Sequence, residues 1–240
     1  MLSCILCGGL GNQLFILFAT IAVSIEYDIP LILPDDYNKN SPNRIEYVDS
    51  LFAPIHHLFG TNSKTVMDPK QFTMLQYKQH HYKKIAIDDI SKPYCLYGFF
   101  QSPLYFQKYS ETIINMLQLT ACKERVESRL LSHYPDFKSK QSICMHFRLG
   151  DYVRLQSYHN ILPDTYYKNA LKHLFETNGI RTEDMSNIMI YVFCEAVDWM
   201  KVKETLDTIQ LTYPAVEYRR VDLFSKDYDE LLCMSLCDYN

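Results

Sequence analysis

The sequence predicts an α/β protein built as two Rossmann-like halves, and three observations carry that prediction. A short apolar run at the start ends in a glycine-rich turn and leads into a helix-like stretch. Strand-like and helix-like segments then alternate, and the alternation is interrupted once near the middle. It restarts at about residue 142. Such alternation marks parallel sheets covered by crossover helices, with ligands expected at the carboxyl ends of the strands and in the cleft between the halves. The halves are assigned to residues 1-118 and 119-240.

Leu2-Ser3-Cys4-Ile5-Leu6-Cys7 reads as a strand that stops at Gly8-Gly9-Leu10-Gly11, after which Asn12 is placed to cap a helix running to about Tyr27. Ile29 to Leu33, bounded by Pro30 and Pro34, is a second apolar run, and Asp35 to Arg44 has the Asp, Asn and Pro content of a loop. From Phe52 to Lys92 the pattern is mixed and specifies no element. Tyr94 to Phe99 reads as a strand, with Gln101-Ser102-Pro103 opening a helix behind it. Ser110 to Tyr134 has apolar residues at helical spacing (Ile113, Met116, Leu117, then Val126, Leu130, Leu131), enough for one or two helices. The second half supplies strands over Ser142–Phe147, Asn187–Cys194 and Val216–Val221. Its helices are Asp164–Thr177, Val197–Leu206 and Asp227–Cys237.

Composition removes several functions. A net charge of -4 without any run of Lys and Arg gives no footprint for nucleic acid. The apolar run from Leu14 to Ile25 is shorter than the ~20 residues a bilayer demands, and no Lys or Arg precedes it as in a signal peptide. No transmembrane segment and a cytoplasmic location are therefore expected. The eight cysteines (Cys4, Cys7, Cys95, Cys122, Cys144, Cys194, Cys233, Cys237) read as structural thiols, since Cys4-x-x-Cys7 has no second pair at zinc-binding spacing. His56-His57 and His80-His81 are adjacent pairs whose side chains diverge, and read as solvated surface. Asp227-Tyr228-Asp229 has the form of a metal-gripping pair, but acids at a helix start complement the macrodipole, and that reading is preferred.

Two segments are suited to chemistry. In Gly8-Gly9-Leu10-Gly11-Asn12-Gln13, glycines let the backbone approach a charged ligand and the following helix offers free N–H groups. A tight turn with no ligand has the same pattern. As a dinucleotide fingerprint it is defective, because Leu14 stands where a third small residue belongs, although Asp28 falls near the place of a ribose-binding acid. The second segment is His146-Phe147-Arg148-Leu149-Gly150-Asp151-Tyr152 behind a strand. There a guanidinium makes paired charge-assisted hydrogen bonds to phosphate and an imidazole adds a donor. The competing reading is a structural pair of Arg148 with a carboxylate such as Asp151.

Together these segments carry a resemblance to the α-1,2-fucosyltransferases. Gly8 to Phe15 resembles that family's opening motif. Further matches follow in the family's order: Gly98-Phe99-Phe100-Gln101-Ser102 with Tyr105-Phe106, His146 to Val153, Leu162-Pro163 with Tyr166-Tyr167 and Ala170-Leu171, and Tyr191 to Glu195 with Trp199. Leu231 to Cys237 is similar to the helix before the family's last motif. The resemblance implies a GT-B-like architecture, an acceptor-side N-terminal domain and a nucleotide-sugar-binding C-terminal domain. It implies GDP-fucose as donor, no essential metal, inversion at the anomeric carbon, and a glycan acceptor with a terminal galactose. Arg148 would hold the pyrophosphate and His146 would help fix the nucleotide. Gly9, Gly11, Asn12 and Gln13 would border the sugar-phosphate, and Glu195 the nucleotide. Asp151 and Glu195 are carboxylates near the right segments for a general base, each with a structural or nucleotide-contacting reading beside it.

The chain departs from the pattern in three places. Leu149 stands where a second arginine is usual, which predicts one phosphate-facing charge fewer. Cys194-Glu195 replaces Ser-Asp. After Cys237-Asp238-Tyr239-Asn240 the family's double-Trp segment does not follow, and the chain's one Trp is Trp199. That predicts an uncovered apolar edge, hence poor solubility, a protein partner covering an incomplete domain, or a shortened cleft. The alternative function is a catalytically weak or inactive nucleotide- or glycan-binding relative, or a gene fragment.

Overall fold

Among the described residues, apolar strands with helices packed on them form two three-stranded sheets, and every paired strand in both is parallel. The computed structural model describes residues 1–33, 47–60, 71–77, 81–153, 156–157 and 160–240, apart from the side chain of Asp151. The predicted loop over Asp35–Arg44 and the side chains of His80 and Asp151 lie outside the described residues. The chain divides into two units, Met1–Ala121 and Cys122–Asn240.

In the first unit β1 (Leu2–Cys4), β2 (Thr73–Tyr77) and β3 (Tyr94–Gly98) lie in the order β1-β3-β2. Ser3 is level with Cys95, and Leu75 with Leu96. The middle strand buries Tyr94, Cys95 and Leu96. The second apolar run makes only isolated bridges, Leu2 to Leu31 and Leu33 to Phe59. Pro30 has no N–H to give a ladder and serves through its carbonyl, which accepts from the Leu2 N–H at 2.8 Å.

Helix α1 (Leu10–Tyr27) starts two residues earlier than Asn12, with Gly9 at its N-cap and no side-chain cap. It buries Ile16, Leu17, Ala19, Ile21 and Ala22 and packs on β1 and on α2 (Ser110–Met116). At 18 residues it is long and apolar enough to cross a membrane by length and composition alone, contrary to the sequence expectation, and half of it is buried inside the protein. Burial against the sheet accounts for its composition. The helix expected behind Ser102 resolves into two 3-10 turns, Pro103–Tyr105 and Gln107–Tyr109, before α2 begins. Gln118, at φ 51°, separates α2 from α3 (Leu119–His133).

The second unit orders β4 (Gln141–His146), β5 (Ile188–Phe193) and β6 (Glu217–Arg220) as β4-β5-β6. Helices α4 (Asp164–Thr177), α5 (Trp199–Thr212) and α6 (Asp227–Met234) complete it. β5 is buried along its whole length. Because strand side chains alternate, it feeds two cores. Ile188, Ile190 and Val192 join Phe147, Tyr167, Leu171, Val202 and Leu206, while Met189, Tyr191 and Phe193 join Val126, Leu130, Phe137 and Cys233. On the outer side of β4, the Cys144 N–H donates to the Tyr239 carbonyl at 2.7 Å and the Tyr239 N–H to the Ser142 carbonyl at 3.1 Å. Residues 238 and 239 thus pair with an edge expected to be open.

All eight cysteines are free thiols. Burial pushes Cys4 and Cys144 up to about 12, so neither is a thiolate at neutral pH.

Candidate active site

Each unit gathers its motif residues at the carboxyl ends of its strands. In unit 1 the turn after β1 is held by its own helix. Gly8 has φ 78°, and a Cβ there would meet Asn12 Nδ2 at 2.5 Å, so Gly8 is the position that demands glycine. A Cβ on Gly11 would meet nothing within 4 Å. Gln13 is 1% exposed and its Nε2 donates to the Gly8 carbonyl at 3.1 Å. Its side chain thus fixes the turn from inside, and its buried Oε1 has no partner among the described residues. Asn12 is half-buried, and its Oδ1 accepts from Gln101 Nε2 at 2.7 Å. Two motifs 89 positions apart therefore meet at one end of the sheet.

Beside them lies a cavity of about 380 Å³, lined by Cys7, Tyr77, His81, Tyr97, Phe99 and Gln101 among others. Tyr97 is 40% exposed and Phe99 48%. His81 is exposed, in keeping with its reading as solvated surface, and lines this cavity. Phe100 sits at φ 49°, a conformation that costs a bulky residue energy and that the surrounding rings over-determine: Tyr105 packs edge-on to it at 5.2 Å and Tyr77 at 5.5 Å. Exposed aromatic faces next to amide and hydroxyl groups suit a sugar ring, which has apolar C–H faces and polar edges.

Asp28 does not belong to this site. It takes the left-handed cap of α1, with φ 52° and its N–H turned back to the Ile25 and Ser24 carbonyls. An 18-residue helix separates it from Gly9, about 27 Å at 1.5 Å per residue. The geometry removes the dinucleotide reading.

In unit 2, β4 ends at His146, and Arg148 follows, exposed, with its guanidinium 5.2 Å from the Tyr152 ring. Alternation sends the intervening Phe147 inward to stack on Tyr167 at 4.2 Å. Leu149 likewise turns inward, 5% exposed in the same core. His146 is exposed by area, yet nearby protein displaces water and Arg148 adds positive charge. Both lower its pKa from 6.5, desolvation the more.

Gly150, at φ 34°, donates its N–H to Asp198 Oδ2 at 3.0 Å, and a Cβ on it would lie 2.6 Å from Glu195 Oε1. The loop after β4 and the turn after β5 are therefore pressed together, with the Glu195 carboxylate exposed at the junction. Asp151 lies in the 3-10 turn Gly150–Val153, its carboxyl outside the described residues.

Asp229 pairs with Arg125 at 2.8 Å, so Asp227-x-Asp229 carries an ion pair at the start of α6. Among the described residues no three His, Cys, Asp or Glu side chains converge to hold a metal ion. Two further residues meet at this edge, Trp199, which the resemblance included, at the first position of α5, and Arg220, which no motif marked, at the end of β6. Their juxtaposition, the guanidinium 5.1 Å over the indole, exists only in the fold.

A family model described as Glycosyl transferase family 11 matches residues 62–235, more than half of the chain. The match takes in Gly98 to Ser102, His146, Arg148 and Glu195, and starts after the Gly8 turn. No curated protein and no solved structure matches the chain.

Proposed function

The chain belongs to glycosyl transferase family 11, the α-1,2-fucosyltransferases, and on that premise we propose that it transfers fucose from GDP-fucose to a hydroxyl of a terminal galactoside with inversion. The two α/β units are assigned to a GT-B-like architecture. The observation that carries the reading is the exposed His146 and Arg148 at the carboxyl end of β4, beside the Glu195 carboxylate.

In the transfer, an acceptor oxygen forms the new bond to the anomeric carbon as the bond from that carbon to the phosphate oxygen breaks. The electron pair leaves with GDP, and the acceptor proton passes to a base. Charge grows on the leaving phosphate, where Arg148 stabilises it; one preorganised donor of this kind is worth ~3–4 kcal/mol. Glu195, as an acceptor-only group, matches the N–H donors of guanine. The cavity of unit 1, with Tyr97, Phe99 and Gln101, is assigned to the sugar acceptor. Gly9, Gly11 and Asn12 at the start of α1 are assigned to the sugar-phosphate end of the donor, with Gln13 holding their turn.

Isothermal titration with GDP, GDP-fucose, UDP and NAD tests the donor, followed by turnover on a β-galactoside. Selective GDP binding with transfer supports the enzyme. Selective binding without transfer moves the chain to a binding role, and no binding by folded protein removes the donor reading.

A further inference from the structure

Arg219 and Arg220 are neighbours on β6, and strand alternation sends them to opposite faces. Arg219 is fully engaged: it makes two hydrogen bonds to the Asp136 carboxylate, at 2.7 and 2.9 Å, and lies 4.8 Å over the Tyr134 ring. Arg220 is different. Among the described residues no carboxylate pairs with it, and its Nε is buried without a hydrogen-bond partner. What holds it is the Trp199 ring, 5.1 Å below the guanidinium. A ring face fixes the plane of a guanidinium but leaves its N–H donors unsatisfied, and the fork geometry of those donors matches phosphate. A partly buried cation kept flat and without an anion is a site built for one.

Its place in the sheet says which anion. Val192 is level with Arg220 and Phe193 with His146, so Arg220 ends β6 at the same edge where His146 ends β4. β4 and β6 flank β5, two strand spacings or about 10 Å apart. A diphosphate lying across the end of β5 is reached by Arg148 from one side and Arg220 from the other. Burial raises the pKa of Cys194, the first residue after β5, and Arg220 acts against that rise, which reports this proximity.

We propose that Arg220 is a second phosphate-binding residue of unit 2, which with Arg148 clamps the diphosphate of a nucleoside diphosphate across the carboxyl end of β5, Trp199 holding its guanidinium in plane. The inference rests on the donor site proposed above.

Trp199 is the chain's single tryptophan, so its fluorescence reads this site alone. The intact chain and its Arg220→Ala, Arg220→Gln, Arg220→Lys and Arg219→Ala variants are titrated with GDP, GMP and inorganic pyrophosphate, with circular dichroism confirming the fold. In the parent chain GDP and pyrophosphate change Trp199 emission. Arg220→Ala and Arg220→Gln weaken GDP and pyrophosphate about tenfold to a hundredfold, and the ratio of GDP to GMP affinity falls. Arg220→Lys restores part of it, having the charge without the fork. Arg219→Ala leaves affinities unchanged. Arg220→Gln keeps a planar head on the indole, so it still reports should the alanine variant unfold. Equal loss of GDP and GMP binding, or unchanged GDP binding, overturns the clamp and leaves Arg220 as packing for Trp199. If pyrophosphate and other nucleoside diphosphates bind through Arg220 without preference for GDP, the donor reading fails and the clamp stands. If no diphosphate binds, both fail.

Discussion

In the proposed donor site, Arg148 and His146 at the end of β4 differ in the kind of charge they carry. Arg148 carries a permanent charge, so Arg148→Ala is expected to lower kcat/KM roughly a hundredfold to a thousandfold, the equivalent of losing ~3–4 kcal/mol of transition-state stabilisation. Thermal stability should hardly change, because the side chain is exposed. Steady-state kinetics beside a melting curve checks this; unchanged turnover, or loss only through unfolding, removes Arg148 from the mechanism. His146 carries a conditional charge. Its folded pKa lies below the ordinary 6.5. As pH falls, the unfolded chain therefore takes up the proton first. The neutral imidazole is compatible with full stability above the unfolded pKa, and stability falls as pH drops from there through the folded pKa. A bound diphosphate reverses the preference, since its negative charge favours imidazolium. GDP binding should then draw a proton onto His146 near and below pH 6.5, and affinity should rise as pH falls into that window. Calorimetry in buffers of different ionisation enthalpy measures the uptake, and His146→Gln should abolish its part. Identical proton exchange in the two proteins would place His146 away from the phosphates.

At the scale of elements, edges and turns set the stability of each sheet. A Cβ on Gly98 would come within 2.4 Å of the Tyr77 carbonyl, which is backbone of β2 and cannot rotate away. Gly98→Ala should force β2 from β3 and cost ~1–3 kcal/mol, seen as a Tm lowered by several degrees. An unchanged Tm would mean that β2 yields without loss. Asp238 Oδ2 accepts from both the Ser142 N–H and its hydroxyl, each at 2.8 Å, and Ser142 is 3% exposed. Asp238→Ala should strand those donors and cost ~1–3 kcal/mol in urea unfolding; a variant as stable as the parent would show that water replaces the carboxylate. Legibility followed the same division. β5 and β3 could be read because Ile188–Phe193 and Tyr94–Leu96 are buried runs, and α4 because Tyr167, Leu171 and Phe175 recur at helical spacing. β2 could not be read, since Thr73–Tyr77 lies at a sheet edge with its exposure irregular along the strand. Among the residues proposed for the site, His146 and Arg148 are marked by their place behind an apolar run, and Glu195 by the resemblance. The bond from Gln101 to Asn12 and the stack of Arg220 on Trp199 join residues far apart in sequence, and no local pattern encodes such a meeting. Leu149 shows the converse: a motif position suggests a role, but whether the side chain turns in or out is decided by the core it can join.

For the molecule as a whole, the distribution of apolar contacts determines what can function alone. The sheet of Cys122–Asn240 is packed on both faces by helices of its own unit, one face through Tyr167, Leu171, Val202 and Leu206, the other through Val126, Leu130, Phe137 and Cys233. A unit of this size with two covered faces buries enough apolar surface to offset its chain entropy. The residues assigned to the donor, His146, Arg148, Glu195 and Arg220, all lie within it. A fragment from Leu119, which keeps α3 whole, is therefore expected to fold, to bind GDP within a few-fold of the full chain and to transfer nothing, because the cavity of Tyr97, Phe99 and Gln101 belongs to the other unit. Urea unfolding and titration of the fragment measure the first two properties. A folded fragment blind to GDP would mean that the turn at Gly8 and the start of α1 complete the donor site. A fragment that still transferred fucose would remove the cavity of the first unit from the reaction.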